Sequence, residues 1–179
     1  MTLIFHSNTT SYSNRGLSLE NRINLTLDEY KKENIALIYK KPTPIKIINF
    51  DEKTNYITKA VFLKKSTTDY NGVFKGKYLD FEAKSTKSKT SFPLHNIEDH
   101  QISHLSLVDL HGGISFFIVE FSLLNEIYLL PFSEFKNFIN QNNSSSIPLS
   151  YFKTNGYLIK QTLKYPVHFI ENFEKIVNF

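Results

Sequence analysis

The residues best suited to chemistry fall between Ser66 and Gln101. Within that stretch the run Thr67-Thr68-Asp69-Tyr70-Asn71-Gly72 is followed closely by Tyr78-Leu79-Asp80-Phe81-Glu82-Ala83-Lys84. Side chains alternate faces along a strand. An extended Tyr78 to Lys84 therefore sets Asp80, Glu82 and Lys84 on one side and the apolar Leu79, Phe81 and Ala83 on the other, the core side. Carboxylates and a lysine crowded on a short strand are costly unless they hold a cation or one another, and groups perturbed in this way are the ones that functional sites use. The chemistry they suit is hydrolysis assisted by a hard divalent cation, with oxygen ligands for the ion and an ammonium beside them. The competing account is an amphipathic edge strand with solvated charges. Glu-x-Lys is short and common, so spacing alone favours that plainer account.

An acidic residue in a turn, then Glu-x-Lys on a strand, is also the arrangement of the PD-(D/E)xK nucleases, in which carboxylates bind Mg²⁺ and the lysine works on the attacking water. The elements that must position it follow from periodicity and breakers. Asn71-Gly72 and Lys75-Gly76-Lys77 are turn signals on either side of Val73-Phe74, so Asp69 ends one extended segment and Tyr78 to Lys84 forms the next. Leu17, Leu19, Ile23 and Leu27 predict a helix from about Leu17 to Lys32, with Glu20 on it and Arg15 just before. Ile35 to Tyr39 is a continuous apolar run, the mark of a strand buried on both faces. Lys40-Lys41-Pro42-Thr43-Pro44 breaks it. Two β-rich runs, Ile45 to Phe50 and Ile57 to Leu63, then flank the polar cluster Asp51 to Asn55 and predict an inserted hairpin over about 41–65.

A second helix is expected from about Asn96 to Leu110, stopped by Gly112-Gly113, and strands over Ile114 to Phe121 and Glu126 to Leu130. A short helix over Phe132 to Ile139, a polar loop over Asn140 to Ser146, an edge strand over Tyr157 to Leu163 and a closing helix over Pro166 to Val177 complete the chain. The pattern is α/β, with Met1 to Ser13 a flexible arm and 14–179 a single domain. His100 and His104 lie i,i+4 on the second helix, but Gln101 between them cannot serve as a general base and no third ligand is evident. Surface or supporting roles outweigh a zinc site there.

Composition narrows the classes. The 179 residues are 41% hydrophobic with 16 Phe and 10 Tyr, enough for a proper core. The absence of cysteine excludes disulfides, thiolate zinc sites and cysteine nucleophiles. No apolar run approaches the roughly 20 residues of a membrane span, and Met1 to Tyr12 lacks the pattern of a signal peptide, so a cytoplasmic protein is expected. Lys31 to Lys89 holds 14 lysines against six acids, leaving seven basic and 11 acidic residues elsewhere. The basic third carries the motif. In the hairpin, Lys46, Lys53, Lys59, Lys64 and Lys65 interleave with Phe50, Tyr56 and Phe62, which suits phosphate contacts plus base stacking, although an ordinary edge hairpin is the plain alternative.

Longer segments add a resemblance. Asn14-Arg15-Gly16-Leu17-Ser18-Leu19-Glu20, Lys40-Lys41-Pro42-Thr43-Pro44, Ser66 to Gly72, Gly76 to Lys84, Lys89-Thr90-Ser91-Phe92-Pro93-Leu94 and Asp99-His100-Gln101 closely resemble, in one order, the RecU family of Holliday junction resolvases. The resemblance implies a restriction-endonuclease-like core, a central mixed β-sheet flanked by helices, with a projecting β-hairpin stalk. It implies a Mg²⁺-dependent endonuclease, with Mn²⁺ as an alternative ion, that resolves four-way junctions in recombination and repair. By the same likeness Thr67, Asp69, Glu82 and Gln101 surround the metal, Lys84 is the catalytic lysine, and Arg15, Lys40, Lys53 and Phe62 contact DNA. Glu20 and Asp80 are accessory candidates; Asp80 is either an outer ligand or the partner of Lys77, the second being preferred. The family is dimeric, which implies a homodimer acting on branched DNA, with a recombinase and a branch-migration helicase as further partners and no membrane.

The departures from the family concern DNA contacts. The hairpin is short with only Lys53 at its tip, the N-terminal arm is brief, and Gln141-Asn142-Asn143-Ser144-Ser145-Ser146 replaces a basic segment. Weaker binding or discrimination is expected, not a dead enzyme. The rival function is a junction-binding or recombinase-modulating protein that keeps the fold with weak or absent cutting.

Overall fold

In the computed structural model, which describes residues 18–63 and 67–176, the Ser18 hydroxyl accepts from the Asn21 backbone N–H at 3.3 Å and caps helix α1 (Leu19–Lys32). Leu19, Ile23, Leu27 and Tyr30 recur every three or four residues and form its buried stripe. After α1 come β1 (Leu37–Lys40), the hairpin strands β2 (Ile45–Asp51) and β3 (Tyr56–Phe62), β4 (Tyr70–Phe74) and β5 (Lys77–Thr86). The chain continues through β6 (Ser91–Pro93), α2 (Asp99–Leu110), β7 (Ile114–Phe121), β8 (Glu126–Pro131), α3 (Phe132–Gln141), β9 (Ser146–Pro148), α4 (Leu149–Asn155), β10 (Tyr157–Leu158) and α5 (Phe173–Ile176).

Six strands form one sheet in the order β1-β4-β5-β7-β8-β10. β5 and β7 are parallel, joined through α2, and the remaining neighbours are antiparallel, so the expected mixed sheet flanked by helices is present. One face packs on α1 and the C-terminal segment through Tyr70, Phe81, Phe116, Phe169 and Phe173. The other packs on α2, α3 and α4 through Leu105, Phe117, Phe121, Phe135 and Phe152. With cover on both sides, all eight residues of β7 are buried. Among the described residues no helix is long and apolar enough to cross a membrane.

The hairpin stands apart from these layers. β2 and β3 pair only with each other, and every residue of β3 is exposed. Leu63 N–H donates to Pro44 O at 3.1 Å and closes the base. At the tip Asp51 Oδ1 accepts from the N–H of Lys53 at 2.9 Å, and Asn55 takes a φ of 58°.

Several expectations change, and the edge strand expected over Tyr157 to Leu163 keeps only Tyr157–Leu158. β1 is not buried on both faces: it is an edge strand, with Ile38 buried while Leu37 and Tyr39 face outward. Asn71-Gly72 is not a turn but lies inside β4, and the turn is made by Lys75 and Gly76, both at positive φ. Gly72 is there for close approach, since a Cβ would meet Leu37 O at 2.2 Å. The closing helix shrinks to a 3-10 turn (Ile170–Asn172) and α5, although Phe169, Ile170 and Phe173 do pack inward. Leu17, Lys64, Lys65, Val177, Arg15 and the arm Met1 to Ser13 lie outside the described residues.

Candidate active site

β5 brings the expected residues together because it is a central strand. The face bearing Asp80, Glu82 and Lys84 looks toward α2, not toward solvent, and Asp80 and Glu82 are 0% and 2% exposed. The account in which these are solvated charges on an edge strand is excluded by that burial.

Both carboxylates of the central pair are gripped by backbone and neighbours. Glu82 Oε2 accepts from the Asp69 N–H at 3.0 Å, and Asp69 Oδ2 accepts from the Ala83 N–H at 3.1 Å, a reciprocal exchange that locks Asp69 beside β5. Glu82 Oε1 accepts from Lys84 Nζ at 2.8 Å and from Gln101 Nε2 at 2.5 Å. Burial pushes the Glu82 carboxyl up to about 7; the Asp69 charge adds to the rise and the Lys84 ammonium opposes it. Two carboxylates confined in this way seek a cation. Asp69 and Glu82 offer carboxylate oxygens and Gln101, bonded to Glu82, carries an amide carbonyl as well, and oxygen donors of this kind suit a hard ion that retains several waters, as Mg²⁺ does.

Gln101 sits at the start of α2, where its Oε1 accepts from the Glu98 N–H at 3.0 Å as part of a capping box. Its NH₂, not its carbonyl, therefore faces Glu82. Presenting the carbonyl, as expected of an ion ligand, requires a half-turn of the terminal amide and gives up that cap bond.

Asp80 corrects an expectation: its partner is not Lys77. Oδ2 lies 2.6 Å from Lys41 Nζ, 2.8 Å from the Tyr78 hydroxyl and 2.9 Å from His104 Nε2, while Oδ1 accepts from the Thr68 hydroxyl. His104 and His100 turn to different acids, His100 lying 3.6 Å from Glu98. Lys41, Thr68, Tyr78 and His104 join the site without a motif to announce them; only His104, three residues after Gln101 and so on the same helical face, carries a signal readable in the sequence.

The family model of Recombination protein U, RecU, matches residues 14–175. The chain belongs to the RecU family. A RecU of Geobacillus sp. (strain WCH70), named Holliday junction resolvase, is 44% identical over 172 residues, covering 93% of this chain and 86% of its own. A RecU of Streptococcus thermophilus (strain ATCC BAA-491 / LMD-9) with the same name is 42% identical over 175 residues, covering 96% and 88%. Among solved structures, the Holliday junction resolvase Hjc of Archaeoglobus fulgidus overlays with a TM-score of 0.46 at 10% identity, covering 77% of this chain and 94% of that one, a likeness too weak to carry anything further.

Of the other expected residues of this family member, those among the described residues lie on α1, at the end of β1 or on the hairpin. Glu20 on α1 and Lys40 at the end of β1 form an ion pair with each other. Tyr70 hydrogen-bonds Asn24 Oδ1 on α1 at 3.1 Å, and its hydroxyl is pushed up by burial and then by the charges of Glu20, Asp69 and Glu82. Lys53 is exposed in the hairpin turn, and Phe62, 78% exposed, stands near the hairpin base.

Proposed function

We propose that this chain is a Mg²⁺-dependent, structure-selective endonuclease that resolves Holliday junctions by paired nicks, with Mn²⁺ as an alternative ion. The observation that carries this reading is the buried Glu82, locked to Asp69 by reciprocal backbone hydrogen bonds with Lys84 Nζ at 2.8 Å. Asp69 and Glu82 would hold the cation, with Thr67 and Gln101 completing the oxygen set. When bound, the ion neutralises charge on the pentavalent phosphate and lowers the pKa of a bound water. Lys84 orients the attacking water in line with the leaving 3′ oxygen and stabilises negative charge as it develops. Glu82 must give up its proton for the set to form.

Phosphodiesters look alike to these residues in a duplex or a junction. Selectivity therefore belongs to the hairpin, whose exposed Phe50, Tyr56 and Phe62 can meet unstacked bases at an open crossover. A homodimer would supply two such sites for opposing cuts. Arg15 and Lys40 add phosphate contacts, the action belongs to cytoplasmic DNA recombination and repair, and a recombinase and branch-migration helicase are the partners.

The test is nicking of a four-way junction with Mg²⁺ or Mn²⁺ by the wild type, Asp69→Asn and Glu82→Gln. The wild type should nick; both variants should lose nicking while retaining junction binding. Normal cleavage by either variant sinks the assignment, and binding without nicking by the wild type favours the rival, recombinase-modulating reading.

A further inference from the structure

The segment carrying Thr67 and Asp69 is held by a residue from outside it. Lys41 lies between β1 and the hairpin. Its backbone N–H donates to Asp69 O at 2.7 Å, and its Nζ reaches Thr68 Oγ1 at 2.6 Å, Thr67 Oγ1 at 3.1 Å and Asp80 Oδ2 at 2.6 Å, with His104 Nε2 at 3.3 Å. Lys41 thus touches three consecutive residues, two of them in the proposed ion set.

Neutralising Asp80 does not require this reach. The buried carboxylate already has Thr68, Tyr78 and His104 around it, and an ammonium bonded to Asp80 alone would serve its charge. The contact with Thr67 is different. Thr67 is exposed, and a hydroxyl without a partner rotates among its rotamers. An ammonium N–H directed at its oxygen takes one lone pair, leaves the other for a ligand, and fixes the direction in which it points. A side chain held in advance loses less entropy when an ion binds.

We infer that Lys41 is a positioning residue for the divalent cation, a built-in ammonium anchored on Asp80 that sets the Thr67 hydroxyl toward the ion. This rests on the proposed reading of Thr67 and Asp69 as ion ligands. Lys41 touches neither substrate nor reacting atoms; it acts through Thr67.

The test is calorimetric titration of Mn²⁺ into the full chain without DNA. In Lys41→Met/Asp80→Asn, which removes the ammonium and its buried counter-charge together, Mn²⁺ should bind about tenfold more weakly, about 1.4 kcal/mol, while the melting temperature stays within a few degrees of wild type. Thr67→Val should show the same loss, and Thr67→Ser should recover wild-type affinity. Adding Thr67→Val to the Lys41→Met/Asp80→Asn background should cost less than the same change costs in wild type, since Lys41 acts through the Thr67 hydroxyl. Wild-type affinity in Lys41→Met/Asp80→Asn or in Thr67→Val overturns the inference, as do additive losses when they are combined. If the double variant does not fold, Thr67→Val and Thr67→Ser decide it, the exposed position making misfolding there a small risk. A wild type that binds no Mn²⁺ without DNA yet nicks junctions overturns this inference and leaves the proposed nuclease standing; one that binds Mn²⁺ in this pattern without nicking does the reverse.

Discussion

Glu82→Gln should make the heat resistance of the metal-free protein, relative to wild type, rise with pH by a defined amount. The Glu82 carboxyl rises from its ordinary 4.5 to about 7 on folding, first through burial and then through the Asp69 charge. A raised folded value means that the native state holds the proton more tightly than the unfolded chain. Its stabilising contribution is complete below pH 4.5 and is lost as pH rises through 7. Working the two titrations between pH 5.5 and pH 8, wild type loses about 2 kcal/mol from this group alone. Glutamine does not titrate, so the variant keeps what wild type loses. For a chain of this size each kcal/mol corresponds to about 2–4 °C, so the melting temperature of Glu82→Gln relative to wild type should rise by about 4–8 °C from pH 5.5 to pH 8. Scanning calorimetry in EDTA at both pH values measures it. Using the difference between two pH values cancels whatever the amide gains or loses in contacts with Lys84, Gln101 and the Asp69 N–H. A gap between variant and wild type that stays constant with pH would refute the reasoning, because it would mean that Glu82 folds with an ordinary carboxylate. Adding Mg²⁺ at pH 8 should then raise wild type and leave the variant where it was.

Other expectations follow from separate features. Gly72→Ala should cost about 1–3 kcal/mol in denaturant titrations, because the new methyl meets the β1 backbone at Leu37 O and Ile38 Cα; wild-type stability would mean that β1 is not packed at that register. Junction affinity should fall steeply with salt: if Lys46, Lys53 and Lys59 each neutralise one phosphate, a slope of about −2.7 gives about a 40-fold loss between 50 and 200 mM, and a flat response in gel-shift titrations would make the hairpin lysines a solvated face only. Phe62→Ala should weaken junction binding by about 1–3 kcal/mol, the range for one lost base stack, and duplex binding much less; equal losses on both substrates would make the hairpin a general clamp.

The sequence carried the site further than the supporting shell around it. Asp69, Glu82 and Lys84 lie within one hairpin of each other, so alternation along β5 was enough to put Glu82 and Lys84 on one face. Burial of that face was not readable locally. It depends on β5 pairing with β7, whose residues lie more than 30 positions later, and on α2 covering the pair. Sequence proximity pairs Asp80 with Lys77, whereas its ammonium partner comes from Lys41, 39 residues away. Gly72 illustrates a real ambiguity: glycine serves a turn or a close backbone approach equally well, and only the position of β1 distinguishes them. The apolar run at Ile35 to Tyr39 misled for a related reason, since a continuous hydrophobic stretch does not say whether a strand lies inside the sheet or at its edge.

The two ends of the hairpin insertion are held side by side where they join the body. Lys40 is in register with Tyr70, and the Lys41 N–H is bonded to Asp69 O. The hairpin strands β2 and β3 between them are a spacer whose closure the sheet has already arranged, and lengthening such a segment is cheap, each doubling costing only about 0.6 kcal/mol. The reach of the hairpin can therefore drift over evolutionary time, or be redesigned, without disturbing Asp69 or Glu82. Exchanging hairpins of different length between relatives would give a graded series of probes, each projecting a different distance from an unchanged cutting centre.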